Sequence, residues 1–157
     1  MQILDILSPD RVQTGVAVGS KKRALEHAAR AVEKAIGGNE LAGKVFDALL
    51  ARERLGSTAL GEGVAVPHCR LPDCRQTIGL LLKLAEGIDF DAPDNKPVDL
   101  LFVLVVPQEA TDEHLQLLGR VAGMFNDGTA RAALRSADSG SELYERVQAF
   151  ERDAASG

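Results

Sequence analysis

Ser57-Thr58-Ala59-Leu60-Gly61-Glu62-Gly63-Val64-Ala65-Val66-Pro67-His68-Cys69-Arg70 is the stretch on which the reading of this chain turns. Val64-Ala65-Val66 is a short apolar run, β-branched at both ends, and reads as a buried strand. Pro67 ends that strand, because it has no N–H for a ladder and a fixed φ. His68 is then expected just past a strand end, exposed yet stiffly held. Gly61 and Gly63 bracket a tight turn. Ser57 and Thr58 bring two hydroxyls, and Arg52, Arg54 and Arg70 bring positive charge. A rigid imidazole in that company suits a histidine that handles an anion. A solvated loop histidine fits the same spacing.

Upstream, Ile3, Leu4, Ile6 and Leu7 form a short turn or helix docked on the body, and Val12 to Val18 reads as a strand with Gly15 as a weak point. Ser20 caps a helix running to about Ile36, with Ala24, Leu25, Ala28, Ala29, Val32 and Ile36 on one stripe. Lys21-Lys22-Arg23 opposes the dipole of that helix, which marks a solvated patch or a contact surface. Gly37-Gly38 stops it. Asn39 is expected to cap the next helix, whose apolar residues are Leu41, Val45, Phe46, Leu49 and Leu50. Arg52 lies in its last turn, so a helix end delivers a cation beside His68.

Downstream, Leu71-Pro72-Asp73 is a turn. Thr77 to Ala85 reads as a strand, Glu86-Gly87 as a turn and Ile88-Asp89-Phe90 as a second short strand. Val98 to Val106 is nearly all apolar, the mark of a central strand covered on both faces, and Pro107 terminates it. Thr111 caps a helix with Leu115, Leu118, Val121, Ala122 and Phe125 as its buried stripe. Thr129 to Ala137 forms a shorter helix. Ser139-Gly140-Ser141-Glu142 offers a capping box for a last one carrying Leu143, Val147 and Phe150, beyond which residues 151 to 157 read as frayed. This order predicts a single α/β domain, a mixed sheet of about five strands with helices on both faces.

With 157 residues, 45% hydrophobic and 26% charged, the composition is that of an ordinary globular chain. A net charge of −5 argues against nucleic acid as a partner. No apolar run reaches the roughly 18 residues that span a bilayer, and no basic segment followed by an apolar core opens the chain. Cys69 and Cys74 lie too close to close a useful loop, so free thiols in a reducing cytoplasm are expected.

Three histidines divide the prospects. His27 lies mid-helix and reads as structural. His114 falls in the first turn of the helix after the central strand, at the carboxyl end of the sheet where ligand sites gather. A helix N-terminus offers N–H groups to an anion there; a plain capping-turn histidine fits equally. A zinc site of His68, Cys69, Cys74 and His114 is disfavoured, because adjacent residues of an extended chain point opposite ways. A Cys69 nucleophile with a histidine base fails on the same ground unless His114 is the base, and Gly61-Glu62-Gly63 lacks the Gly-Lys-Ser/Thr of a phosphate-binding loop.

Glu53, then six residues, Leu60-Gly61, two residues, and Val64-Ala65-Val66-Pro67-His68-Cys69 resembles the phosphohistidine signature of the fructose/mannitol-type IIA domains of the phosphoenolpyruvate-dependent sugar phosphotransferase system. The likeness runs from about Ile3 to Phe150. Arg52-Glu53, Gly56-Ser57-Thr58 and Pro97-Val98-Asp99-Leu100-Leu101-Phe102 make it most similar to the nitrogen-regulatory branch. Ala59 stands where glycine is usual, which forbids a comfortable positive φ there, and Cys69 stands where glycine is commonest.

The resemblance implies that His68 is the phosphorylated nucleophile and His114 the assisting histidine. It implies that Arg52, with Ser57 or Thr58, holds the phosphoryl group. Glu53 is expected to position Arg52; Glu62 has no clear part. The implied donor is a small histidine phosphocarrier protein of the HPr or NPr kind. The implied role is a cytoplasmic regulator that binds target proteins according to its phosphorylation state, or alternatively a sugar-uptake IIA component that donates to a IIB domain. Neither metal nor cofactor is expected, and neither nucleic acid nor membrane insertion.

Overall fold

The computed structural model describes residues 1–72, 74–109 and 112–156. Two turns of 3₁₀ helix, Ile3–Asp5 and Pro9–Arg11, lead into β1 (Val12–Val16), α1 (Lys21–Ile36) and α2 (Leu41–Arg54). Then come β2 (Ala59–Gly61), β3 (Val64–Ala65), β4 (His68–Leu71), β5 (Ile78–Ile88) and β6 (Val98–Pro107). The chain closes with α3 (Asp112–Asn126), α4 (Gly128–Ser136) and α5 (Gly140–Ser156).

The apolar run of β6 is central, as its composition requires. It pairs antiparallel with β5 on one side and parallel with β3 and then β4 on the other. β1 adds in parallel to β5, and β2 adds antiparallel to β3, giving six strands of mixed direction among the described residues. Alternate residues of the strands feed two separate cores. Leu80, Leu82, Leu101, Val103 and Val105 pack under α1 and α2. Leu81, Leu100, Phe102 and Leu104 pack under α3, α4, α5 and the N-terminal turn. The predicted α/β class with helices on both faces is the observed one.

Local chemistry explains most element ends. Ser20 accepts from the Arg23 N–H and caps α1. Asp127 accepts from the Thr129 and Ala130 N–H groups at the start of α4. Ser139 accepts from the Glu142 N–H at the start of α5. Asn39 does not cap α2. The cap residue is Glu40, in the left-handed region at φ 65°, and no side chain of its own closes the cap. Glu33 of α1 supplies the acceptor instead, 2.8 Å from the Ala42 N–H.

Four other expectations are corrected. β5 runs unbroken to Ile88, with a register shift between Lys83 and Ile88, so Glu86-Gly87 is no turn. A Cβ on Gly87 would lie 2.8 Å from the Pro97 Cβ; that glycine makes room for the neighbouring strand. His68 does not follow the sheet but opens a new strand, with His68 opposite Leu104, and it is half-buried. Leu115 is 61% exposed, while Leu117 and Met124 take the core positions of α3. Residues 151 to 156 are not frayed but continue α5. Glu151 there is buried and accepts from the Leu4 N–H at 3.0 Å and from Arg120 at 3.4 Å. The cap assigned to Thr111 and the turn residue Asp73 lie outside the described residues.

α5 approaches β1 at Gly140, where an added Cβ would sit 2.5 Å from the Val12 carbonyl oxygen. The contact is backbone and cannot swing away. Gly140→Ala is therefore expected to destabilise the chain by about 1–3 kcal/mol, seen as a lower urea midpoint at unchanged slope.

Candidate functional site

α2 ends beside the head of β4, so the last turn of that helix sets Arg52 against His68. The two His68 nitrogens have different partners. Nδ1 lies 2.8 Å from the Val66 carbonyl oxygen, which only accepts, so Nδ1 carries the proton. Nε2 lies 3.3 Å from Arg52 Nε, which only donates, so Nε2 presents its lone pair. Arg52 is itself held by a second bond, from its Nη1 to the Gly56 carbonyl at 2.9 Å. The result is a neutral imidazole, clamped at one nitrogen, with the other facing a fixed cation.

A cavity of about 640 Å³ opens in front of this pair, between the end of α2, β4 and the first turns of α3. His68, His114, Arg52 and Arg70 line it together with Leu55 and Leu115. Arg70 donates to the Gln108 carbonyl at 3.0 Å. The two histidines expected to cooperate thus share one cleft, both half-buried. His27 is elsewhere: it bonds Gln13 at 2.7 Å, and burial, with Arg30 nearby, holds its pKa below the usual value.

The segment after α2 is tied down on every side. Ser57 donates from its hydroxyl to the Phe90 carbonyl at 2.6 Å and accepts from the Ala59 N–H. Thr58 is buried, and both its N–H and its hydroxyl donate to the Glu53 carboxylate. Lys21 Nζ completes that carboxylate at 3.0 Å, 4.7 Å above the Phe90 ring. Ala59 opens β2 without a positive φ, so the departure from glycine costs no strain.

Comparison with known proteins gives this geometry a lineage. The family described as phosphoenolpyruvate-dependent sugar phosphotransferase system, EIIA 2, matches residues 5–149. The chain belongs to that family. A nitrogen regulatory protein of Pseudomonas aeruginosa is 46% identical to this EIIA chain over 147 residues, covering 94% of it and 95% of the relative. The nitrogen regulatory protein IIA-Ntr of Neisseria meningitidis, a crystal structure, superposes with a TM-score of 0.83 at 40% identity, over 91% and 97% of the two chains. Enzyme IIAMTL of Escherichia coli, determined in complex with phosphorylated enzyme IIBMTL, shares the fold: TM-score 0.74, 22% identity, 91% and 97% coverage. The placement of this EIIA beside the nitrogen-regulatory members, first read from short blocks of residues, holds over nearly its whole length.

Within the EIIA site, His68, His114, Arg52, Ser57 and Thr58 all border the cleft or the shallower depression next to it. The hydroxyls of Ser57 and Thr58, however, point their protons into the loop's own bonding. Glu53 does not touch Arg52 through any bond described here; it holds Thr58. Glu62 stands at the tip of the β2–β3 hairpin, 3.6 Å from Lys96, away from the cleft. Lys21 was missed, read as part of a solvated patch or a contact surface when it is the counter-ion of a buried carboxylate. The clue was available: a basic residue opening a helix is opposed by the dipole and needs an acid to hold it there. Among the described residues no group of three or more His, Cys, Asp or Glu is placed to hold a metal ion. No described helix is long and apolar enough to cross a membrane.

Both cysteines of this EIIA are free thiols and buried. Burial, with Cys74 adding to it, pushes the Cys69 thiol up to about 12, and burial raises Cys74 as well. Native protein should resist iodoacetamide at pH 8 and react at both sites once unfolded, read by intact mass. The folded state holds the Cys69 proton where the unfolded state, from the ordinary value of 9.0, has released it. The stabilisation is whole below that ordinary value and is lost as pH rises towards about 12, so Cys69→Ala should flatten the alkaline decline.

Proposed function

We propose that this EIIA chain is a histidine phosphoryl carrier that accepts a phosphoryl group on Nε2 of His68 from a small histidine phosphocarrier protein and regulates target proteins by its phosphorylation state. The observation that carries the reading is the polarised imidazole. Nδ1–H is held by the Val66 carbonyl, and the Nε2 lone pair faces the Arg52 guanidinium in a cleft shared with His114.

The step follows from that arrangement. The Nε2 lone pair attacks phosphorus, an N–P bond forms, and the bond from phosphorus to the donor's imidazole nitrogen breaks with its electron pair. No proton has to leave Nε2, because it carries none. The proton stays on Nδ1, donated to the Val66 carbonyl, and fixes the ring's direction throughout, which is the positional part of the rate. As the phosphoryl group arrives, the guanidinium of Arg52 moves from the nitrogen to the oxygens that now bear the charge. His114 donates to the same group from the opposite wall of the cleft. Ser57 and Thr58 would reach those oxygens only by leaving Phe90 and Glu53; as placed, they serve the site by holding its loop. Positive charge comes from side chains, so no metal is called for.

The nitrogen regulatory relatives support the regulatory role over a sugar-uptake one, in which the chain would donate to a IIB domain as enzyme IIAMTL's complex suggests for that protein. Incubation with phosphoenolpyruvate, the first-step kinase and purified phosphocarriers should add one phosphoryl group per chain by intact mass. The adduct should be acid-labile and hydroxylamine-sensitive, as a phosphoramidate is. An acid-stable adduct, or none with any carrier, refutes the proposal.

A further inference from the structure

We infer that Glu53 is a positioning residue for His68, and that it works by taking one hydrogen-bond donor out of the sheet; the functional part of this rests on the phosphoryl-carrier reading. Ala59 and Ala65 are partners in the antiparallel β2–β3 pair, which places Thr58 opposite Val66. Opposed residues of an antiparallel ladder exchange two bonds where they pair closely. One is made: the Val66 N–H donates to the Thr58 carbonyl at 3.1 Å. The reciprocal one is not, because the Thr58 N–H goes to Glu53 Oε1 at 3.1 Å. The Val66 carbonyl that would have received it accepts from His68 Nδ1 instead.

The carboxylate is built to make that diversion firm. Its second oxygen takes the Thr58 hydroxyl, so both oxygens grip one residue and the plane cannot turn. Its side chain is 2% exposed, and Lys21 at 3.0 Å supplies the opposite charge. A buried carboxylate gathering three donors is far more than a three-residue strand needs to end. Its consequence lies two residues from the nucleophile. With the Thr58 N–H withdrawn, the Val66 carbonyl has one strong partner, the imidazole, and the Nδ1–H tautomer is selected. With that N–H released, the ladder closes one bond further and the imidazole competes for an occupied acceptor.

The test is ¹⁵N NMR of the unphosphorylated histidine side chains at pH 8, in wild type and in Glu53→Leu. Because Glu53→Leu alone strands Lys21 and the Thr58 hydroxyl, Lys21→Met/Glu53→Leu/Thr58→Val is measured beside it; removing a buried pair with its partners is tolerated where removing half is not. In wild type His68 should show a protonated Nδ1 and an unprotonated Nε2. In the variants the two signals should move towards each other, and phosphorylation by the carrier should slow about tenfold or more at unchanged circular dichroism. A folded variant with the wild-type nitrogen signature overturns the inference whatever its rate. A shifted signature with an unchanged rate overturns the positioning role. The nitrogen measurement needs no phosphoryl donor, so it stands or falls separately from the phosphoryl-carrier reading, which fails if wild type itself takes up no phosphate.

Discussion

His68→Ala is expected to abolish phosphorylation outright, at an unfolding cost of only about 1 kcal/mol. The two halves follow from different parts of the same geometry. Nε2 of His68 keeps its lone pair against the Arg52 cation while Nδ1 holds the proton, which on the proposed reading makes it the nucleophile that the variant removes. The side chain is half-buried and makes one neutral bond to a backbone carbonyl, worth about 1 kcal/mol net; its longer contact is with Arg52, which keeps its own bond to Gly56 when the ring is gone. Intact mass after incubation with the phosphoenolpyruvate cascade and a urea melt read the two. Phosphate retained on the variant would place the acceptor elsewhere. A loss of stability of several kcal/mol would mean that the imidazole holds the β3–β4 junction together.

His114→Ala is expected to slow phosphoryl transfer by roughly ten- to a thousandfold, the scale of losing one donor to a transition state's developing charge. The residue stands in the first turn of α3, on the wall of the cleft facing the β4 head. Its effect should fall on the rate at saturating carrier rather than on half-saturation, because the proposed reading sets it against the phosphoryl oxygens and not the carrier's surface. Single-turnover phosphorylation followed in time separates the two. A wild-type rate would mean that the cleft places the two histidines together without using both.

How much of this was legible in the sequence depended on whether the signal was local. Val98 to Val106 declared itself, because nine nearly unbroken apolar residues have no home but the middle of a covered sheet. The Ser20 cap was legible, since a cap is read within three residues. The α2 cap was not: Glu33, nine residues upstream of Ala42, does the work expected of Asn39, and no spacing rule reaches that far. Pro67 was read as the end of strand structure, yet it only interrupts it. The Leu104 N–H donates to the Pro67 carbonyl at 2.9 Å, because a proline lacks a donor but keeps its acceptor, and the chain pairs on through His68. Leu115 misled through period alone: it sits near the apolar stripe of α3, but the cleft lies there instead of the sheet. Of the expected site residues, His68, Arg52 and His114 line one cleft, while the residues that tie down the loop beside it were not legible. Lys21 joins it from 32 residues upstream of Glu53 and Phe90 from 33 residues downstream of Ser57, which only folding brings together.

The Glu151 carboxylate has a consequence for how the chain comes apart. It binds the Leu4 amide through one oxygen and Arg120 through the other, so a single buried side chain laces the first turn of the protein to its last helix and to α3. Chain ends ordinarily open on their own, at almost no free energy, long before the body does. Here the turn at Ile3–Asp5 is tied to α5 through that carboxylate. Its amide is released only when α5 lifts, and trimming the tail short of residue 151 would loosen the opposite end of the polypeptide. One carboxylate thus couples the turn at Ile3–Asp5 to α5 and to α3.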